Sequence, residues 1–169
     1  MKKGLFGIKS AKIDKSKTSS SAARRYLKHA INAKETVNVV DDPGNGNHVP
    51  GANLKEIHID ALEGAQVQGA ASVGLNSETV GMGMIFIHEL GHTVLGGEKI
   101  DPSNYNSYSS GANEGVNNKI RRQMGSSWGQ RESYMTHRAP DGHNYMPFDL
   151  KAEKDLKSGK VPTTLFLKF

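Results

Sequence analysis

The sequence predicts an α+β fold in which a small twisted sheet packs on one central helix and the second half of the chain is mostly helical. Segments with apolar residues at helical spacing occur together with short segments in which polar and apolar residues alternate. Glycine accounts for 19 of 169 residues and hydrophobic residues for only 36%, so we expect a modest core and many loops.

The elements are predicted from periodicity and from the residues that begin and end each segment. The central helix is expected to begin at Asn76 or Ser77 and to end near Leu95, although Gly81 and Gly83 inside it are unfavourable for a helix. The segments predicted before it are a helix at 22–33 and strands at 36–40 and 55–60. The segments predicted after it are helices at 113–124 and 150–158 and a strand at 163–169.

Length and charge suggest one domain with an appended basic segment. We expect a single domain over residues 21–169 and a flexible basic lead-in at residues 1–20. The net charge is +5, and residues 1–34 carry many lysines and arginines against Asp14 alone. No recognised nucleic-acid motif accompanies these charges, so we favour a solvated arm over a nucleic-acid partner.

Composition also limits the membrane topology and the metal chemistry. No apolar run reaches the roughly 18 residues of a membrane helix, so no membrane span is expected. The N-terminus lacks the apolar stretch of a secretory signal, so the localisation stays open. If the protein is exported, we expect it to use a specialised secretion route. The chain has no cysteine, so thiolate metal sites are excluded and any metal must be held by His, Asp or Glu.

The most informative motif is HELGH at residues 88–92, an H-E-x-x-H pattern. On a helix, His88 and His92 lie on one face and can converge on one tetrahedral Zn²⁺ ion. Glu89 projects beside them, where it can accept a proton from water activated by the metal. The flanking residues are apolar, and buried polar groups on such a helix need a compensating interaction, for which metal ligation is the simplest explanation.

A third zinc ligand must come from another part of the chain. Glu114 is preferred, because a second helix packed against the first would direct its carboxylate toward the metal. Asp101, in the loop after the motif, is the next candidate. Glu98 stands at the position that the Met-turn class uses, but Leu95 replaces the glycine of that class. The remaining candidates are His137 and His143.

Two resemblances extend the motif beyond the five residues. HELGH followed by Asn113-Glu114-Gly115 is similar to the zinc-binding segments of thermolysin-like gluzincins, in which a downstream glutamate completes the site. A longer stretch resembles bacterial effector-type zinc metallopeptidases, and it consists of the motif, the segment 116–125 and the segment 131–134. These peptidases include secreted virulence effectors and toxin modules of Rhs-repeat proteins. This resemblance spans roughly residues 55–135 and implies a compact zincin-like fold, proteolysis of a partner's protein and, for a toxin, an immunity or inhibitor protein.

Arg131 and Tyr134 form an R-x-x-Y pattern that resembles the clostridial neurotoxin light chains, where such a pair stabilises the oxyanion. A tetrahedral intermediate needs hydrogen-bond donors aimed at its developing charge. We therefore expect Tyr134 to serve this role with support from Arg131, with His137 and His143 as alternatives. His58, on a predicted edge strand that could pair with an extended substrate, is expected to be incidental.

The sequence thus predicts a zinc-dependent metalloendopeptidase acting on a protein or peptide, with Zn²⁺ as cofactor. Its expected site residues are His88, His92 and Glu114 as ligands and Glu89, Tyr134 and Arg131 as catalytic groups. The alternative is a nonproteolytic domain that is stabilised by a metal and binds a partner through its basic N-terminal arm. A structural zinc usually has four protein ligands, whereas a catalytic zinc keeps one position open.

Overall fold

The computed structural model describes residues 19–60, 73–104 and 107–169. Its helices are α1 (Ser21–Ile31), α2 (Met82–His92), α3 (Gly111–Met124) and α4 (Leu150–Lys157). Its strands are β1 (Asn38–Asp41), β2 (Glu56–Ile59), β3 (His137–Arg138), β4 (Asn144–Pro147) and β5 (Phe166–Lys168). The α+β class is therefore confirmed, while the predicted lead-in falls outside the described residues except for residues 19 and 20.

The strands form two small sheets rather than one. β1 and β2 pair in parallel, and β3, β4 and β5 form an antiparallel sheet in that order. The second half contains the expected helices α3 and α4 together with a three-stranded sheet, of which only β5 was predicted. β3 has two residues, which is too short to show the alternation on which strand prediction depends.

The prediction that β2 has an open edge is also wrong at one position. His48 forms an antiparallel bridge with His58, and each backbone N–H donates to the carbonyl of the other, at 3.1 and 2.8 Å. β2 therefore has a neighbour on both sides at His58, and an extended substrate cannot pair with the backbone there.

The central helix is shorter than predicted at both ends. Asn76 caps a 3-10 turn, Ser77–Val80, by accepting a hydrogen bond from the Glu78 N–H at 2.9 Å. Gly81 then takes an extended conformation, with φ −69° and ψ 169°, so α2 begins at Met82. The helix ends at His92, and the chain folds back so closely that a Cβ on Gly96 would collide with the Leu90 carbonyl. The motif thus occupies the last turns of α2.

Helices α1, α2 and α3 share a core that buries most of α2. Its buried side chains are Ala22, Met84, Ile87 and Ile120. His88 and Glu89 are both only 7% exposed, as expected for polar residues on an apolar helix. A second core under the antiparallel sheet contains Leu75, Met146, Phe148 and Leu167. None of the helices in the described ranges is both long and apolar enough to cross a membrane.

Buried asparagines fix the position of α3 against α2. Asn113 donates from its side-chain amide to the His88 carbonyl at 2.9 Å, and Asn117 donates to the Met84 carbonyl at 3.1 Å. The two asparagines are four residues apart on α3, and the two carbonyls are four residues apart on α2, so the two hydrogen bonds join one turn of each helix. These bonds fix the position of the HELGH motif relative to α3.

Candidate metal centre

Three side chains converge at the C-terminal end of α2. The Nε2 atoms of His88 and His92 lie 3.3 Å apart. Asp101 Oδ2 lies 2.8 Å from His88 Nε2 and 3.0 Å from His92 Nε2. Among the residues that the structure describes, this is one of two groups whose His and carboxylate atoms lie close enough to share a metal ion.

A tight turn after α2 brings Asp101 back to the helix. The N–H of Glu98 donates to Thr93 O, and the N–H of Lys99 donates to Gly91 O, both at 3.0 Å. Gly97 and Glu98 take positive φ angles of 86° and 53°, a conformation that costs glycine little but is uncommon for other residues. The sequence signal for Asp101 was therefore the Gly96-Gly97 pair, which allows the chain to reverse at once.

Both imidazoles are oriented by contacts on their other nitrogen. His92 Nδ1 lies 2.6 Å from the Lys99 carbonyl, which can only accept, so this nitrogen carries the proton and Nε2 presents a lone pair. His88 Nδ1 lies 3.3 Å from Glu114 Oε2, although the two are not aligned as a regular hydrogen bond. A carboxylate or carbonyl behind each imidazole is the usual arrangement around ligating histidines.

The position of Glu114 corrects the preferred assignment of the third ligand. Its carboxylate is fully buried and pairs with Arg121 and Arg131, the latter at 3.2 Å. It faces the Nδ1 side of His88, away from the Nε2 atom that meets Asp101. A packed second helix does bring this carboxylate to the motif, as expected, but behind an imidazole. Asp101 therefore replaces Glu114 as the candidate third ligand.

The charges at the centre stabilise one another. Burial alone would raise the pKa of Asp101, but hydrogen bonds with His88 and His92 hold that pKa well below its ordinary value. Burial opposes protonation of His88, yet the carboxylates of Asp101 and Glu114 raise its pKa to about 9. The two carboxylates thus favour positive charge at His88, which is the charge that a metal ion would supply.

The donor set fits a zinc ion. Zinc bonds of about 2.0–2.1 Å in a tetrahedron place ligand atoms about 3.3 Å apart. The His88–His92 separation of 3.3 Å matches this value, and the Asp101 distances of 2.8 and 3.0 Å need only a small opening. In the described part of the chain, Asp101 Oδ1 is buried without a hydrogen-bond partner, and a cation would compensate its negative charge.

Glu89 lies between two cavities that meet at the centre. One, of about 440 Å³, is also lined by His48, His92 and Asp101, and the other, of about 350 Å³, is also lined by Met84 and other apolar side chains. Burial raises the pKa of Glu89, against the opposing effect of the nearby histidines. A carboxylate with a raised pKa is better matched to proton transfer near neutral pH.

Tyr134 lies beside the centre, whereas Arg131 lies behind it. The Tyr134 ring stacks on His88 with 5.6 Å between ring centroids, and the side chain lines both cavities. Burial and the charge of Asp101 raise the pKa of Tyr134, so its hydroxyl keeps its proton and can donate a hydrogen bond. Arg131 donates to the backbone carbonyls of Ser133 and Tyr134 and pairs with Glu114. Its contacts make it a positioning residue.

The other candidate ligands lie elsewhere. Glu98 lines the larger cavity but does not belong to the His88–His92–Asp101 group. The ring of His137 stacks on that of Tyr108, with 3.7 Å between the ring centroids, and His143 is half exposed beside Asp141. Neither histidine takes part in a candidate metal group within the described residues.

Sequence reasoning missed two groups that support or line the centre. The first is Asn113, whose Nδ2 atom donates to the His88 carbonyl and lies 3.1 Å from His92 Nε2. His48 faces the larger cavity from the loop between β1 and β2. The cluster of asparagines on α3 was a signal for the first, because such residues are unfavourable in a helix unless they are bonded. No pattern around His48 pointed to the cavity.

Comparisons of this chain with protein-family models, with curated proteins and with solved structures found no match. Inference about function therefore depends on the geometry of the site itself.

Proposed function

We propose that this protein is a zinc-dependent metalloendopeptidase. The observation that supports it best is the convergence of two imidazole Nε2 atoms and one carboxylate oxygen within 2.8 to 3.3 Å of one another, beside the buried carboxylate of Glu89. Three protein ligands leave one position of a tetrahedral ion open, which favours a catalytic over a structural metal.

When zinc is bound, it lowers the pKa of water and polarises a carbonyl group. The chain's own groups then handle the protons. Glu89 accepts the proton of the attacking water and passes it to the leaving amine. Its burial supports this role, because burial raises the pKa of the carboxylate and makes it a stronger proton acceptor.

The hydroxyl of Tyr134 is proposed to stabilise the oxyanion of the tetrahedral intermediate. The ring stacks on His88, so the hydroxyl is held at the centre by a side chain that would itself ligate the ion. A donor that is already in place when the charge develops needs no reorganisation, which is why such groups contribute strongly to catalysis. Arg131 supports Tyr134 through its backbone carbonyl.

The two cavities suggest how a peptide would lie. Glu89 and Tyr134 line both, so a substrate carbonyl at the centre would place its flanking residues on either side. One wall of the cavity of about 350 Å³ is apolar and suits an apolar side chain, whereas Glu114, Arg121 and Arg131 also line this cavity. The resemblance to effector-type peptidases supports a role as a secreted effector or toxin module, with a matching immunity or inhibitor protein as partner.

The test is zinc content measured together with proteolysis. Wild type, Glu89→Gln and a control, Glu35→Gln, are loaded with zinc and incubated with a mixture of protein substrates. We expect zinc in all three and cleavage by wild type and Glu35→Gln only, because Glu35 is exposed and lines neither cavity. Cleavage by Glu89→Gln, or an absence of zinc from wild type, would overturn the proposal. Zinc without cleavage would favour the nonproteolytic alternative.

A further inference from the structure

We propose that Asp42, His48 and His58 form a second zinc site, separate from the centre on α2. Each offers one ligand atom, and the three atoms lie within 4.8 Å of one another. His58 Nδ1 lies 2.7 Å from Asp42 Oδ2, and the rings of His48 and His58 have centroids 4.7 Å apart. The site shares no residue with His88, His92 and Asp101.

The backbone fixes the three residues relative to one another. Asp42 directly follows β1, whose last residue Asp41 pairs with Ile59 of β2, and the N–H of Asp42 donates to Ile59 O at 2.9 Å. His48 and His58 exchange two backbone hydrogen bonds, which makes them a directly opposed pair. The two imidazoles are therefore neighbours because of the sheet pairing and not because of a mobile loop.

The connecting loop is itself held in place. The buried carboxylate of Asp60 accepts hydrogen bonds from the N–H groups of Gly44 at 2.9 Å and Gly46 at 3.3 Å. Asn47 accepts from the N–H of Asp60 at 3.0 Å. Positive φ angles of 88° at Gly44 and 72° at Gly46 let the loop wrap around this carboxylate. The loop is therefore already ordered, and an ion that binds there would pay little conformational entropy.

The side chains present a suitable donor set. His48 Nδ1 lies 3.1 Å from the Gly46 carbonyl and can only donate to it, which leaves the lone pair on Nε2. Glu56 lies 3.5 Å from His58 Nε2, on the other side of the ring from Asp42, where it would orient the imidazole. The side chains of Asp42 and His58 are 26% and 19% exposed, so an ion can enter from solvent. Two imidazoles with one carboxylate suit zinc.

A zinc ion here would replace the proton between Asp42 and His58, which leaves to solvent, and would tie the loop to both strands. His48 also lines the larger cavity beside Glu89 and Asp101. Given the proposed function, the second site would therefore hold one wall of the substrate cleft, and it shares no ligand with the centre at α2.

The test counts zinc ions per chain by native mass spectrometry after zinc loading and removal of the excess. We expect two ions in wild type, one in His48→Ala or His58→Ala, one in His92→Ala, and none when both sites are changed. His143→Ala is the matched control, because His143 is an exposed histidine outside both clusters, and it should keep two ions.

A variant that fails to fold is replaced by a measurement on wild type. A second equivalent of zinc should shift the imidazole resonances of His48 and His58 in the full-length protein. An ion count that is the same in wild type and in a folded His58→Ala would overturn the second site and leave Asp42 and His58 as a simple ion pair. Failure of the peptidase proposal would instead appear as absent cleavage with this zinc still bound.

Discussion

Glu114 lies directly behind His88, with its Oε2 atom 3.3 Å from the imidazole Nδ1 on the side away from Asp101. The same carboxylate balances the positive charges of Arg121, which is only 2% exposed, and of Arg131. Arg121 continues the network to Thr79, whose hydroxyl accepts from Nε at 2.9 Å. One buried carboxylate thus connects a candidate zinc ligand with the turn that precedes α2.

Glu114→Gln should therefore affect both stability and metal binding. Removing this charge leaves Arg121 buried and unpaired, and breaking a buried pair in this way costs on the order of 3–5 kcal/mol. Loss of the carboxylate behind a ligating histidine should weaken zinc binding roughly 10–100-fold. Urea unfolding of the metal-free protein and zinc competition with a chelator measure the two effects. Glu35→Gln, on an exposed residue, should change neither, and equal effects in both variants would contradict the role of Glu114.

Asp101 provides a sharper test of which carboxylate ligates the ion. Asp101→Asn removes the negative charge of the carboxylate that contacts both Nε2 atoms, so zinc affinity should fall by more than the roughly 10–100-fold expected for a partner behind a ligand. The thermal stabilisation that zinc gives to wild type should disappear with it. Asp141→Asn, at an exposed aspartate beside His143, is the control. If Asp101→Asn bound zinc as tightly as wild type, the third ligand would have to be sought elsewhere.

The sequence was sufficient for the parts of the site that are local. His88, Glu89 and His92 lie within two turns of one helix, so their spacing alone determined that they share a face. Asp101 and Glu114 were both considered, and the geometry favours Asp101 over the preferred Glu114. The decision depended on the turn at 93–99 and on the buried pairing of Glu114 with Arg121 and Arg131, which are tertiary contacts.

The helices were predicted more successfully than the sheets for a similar reason. α3 was expected at 113–124 and spans Gly111–Met124, because its periodicity and the stop at Gly125 are local signals. β3 and β4 pair across only a few residues, and their existence depends on β5, some twenty residues further on. Strand pairing of this kind cannot be read from a window of sequence.

Tyr134 can be separated from a purely structural aromatic residue by kinetics. Tyr134→Phe keeps the ring that stacks on His88 but removes the hydroxyl, so kcat should fall about 10²–10³-fold while KM and zinc content change little. Tyr108→Phe, at a tyrosine that stacks on His137, should retain activity on the same substrate. An unchanged kcat in Tyr134→Phe would assign the oxyanion contact to another group.

Two glycines of α2 should respond oppositely to the same substitution. A Cβ on Gly91, in the middle of the motif, would collide with the side-chain amide of Asn113, which bonds to the His88 carbonyl and contacts His92. Gly91→Ala must displace that amide, and overpacking of this kind costs about 1–3 kcal/mol. Gly83 is exposed, and an added Cβ there meets no described atom within 4 Å, so Gly83→Ala should stabilise the helix by roughly 0.5–1 kcal/mol.

Urea unfolding of the two variants, with zinc affinity measured in parallel, distinguishes packing from helix propensity. If propensity dominated, both substitutions would stabilise the protein, because alanine is the better helix former at either position. If the contact between α2 and α3 controls the site, only Gly91→Ala should lose stability, and it should also bind zinc more weakly because Asn113 can no longer hold the end of α2. Gly91→Ala with wild-type stability and zinc affinity would show that the site does not depend on this contact.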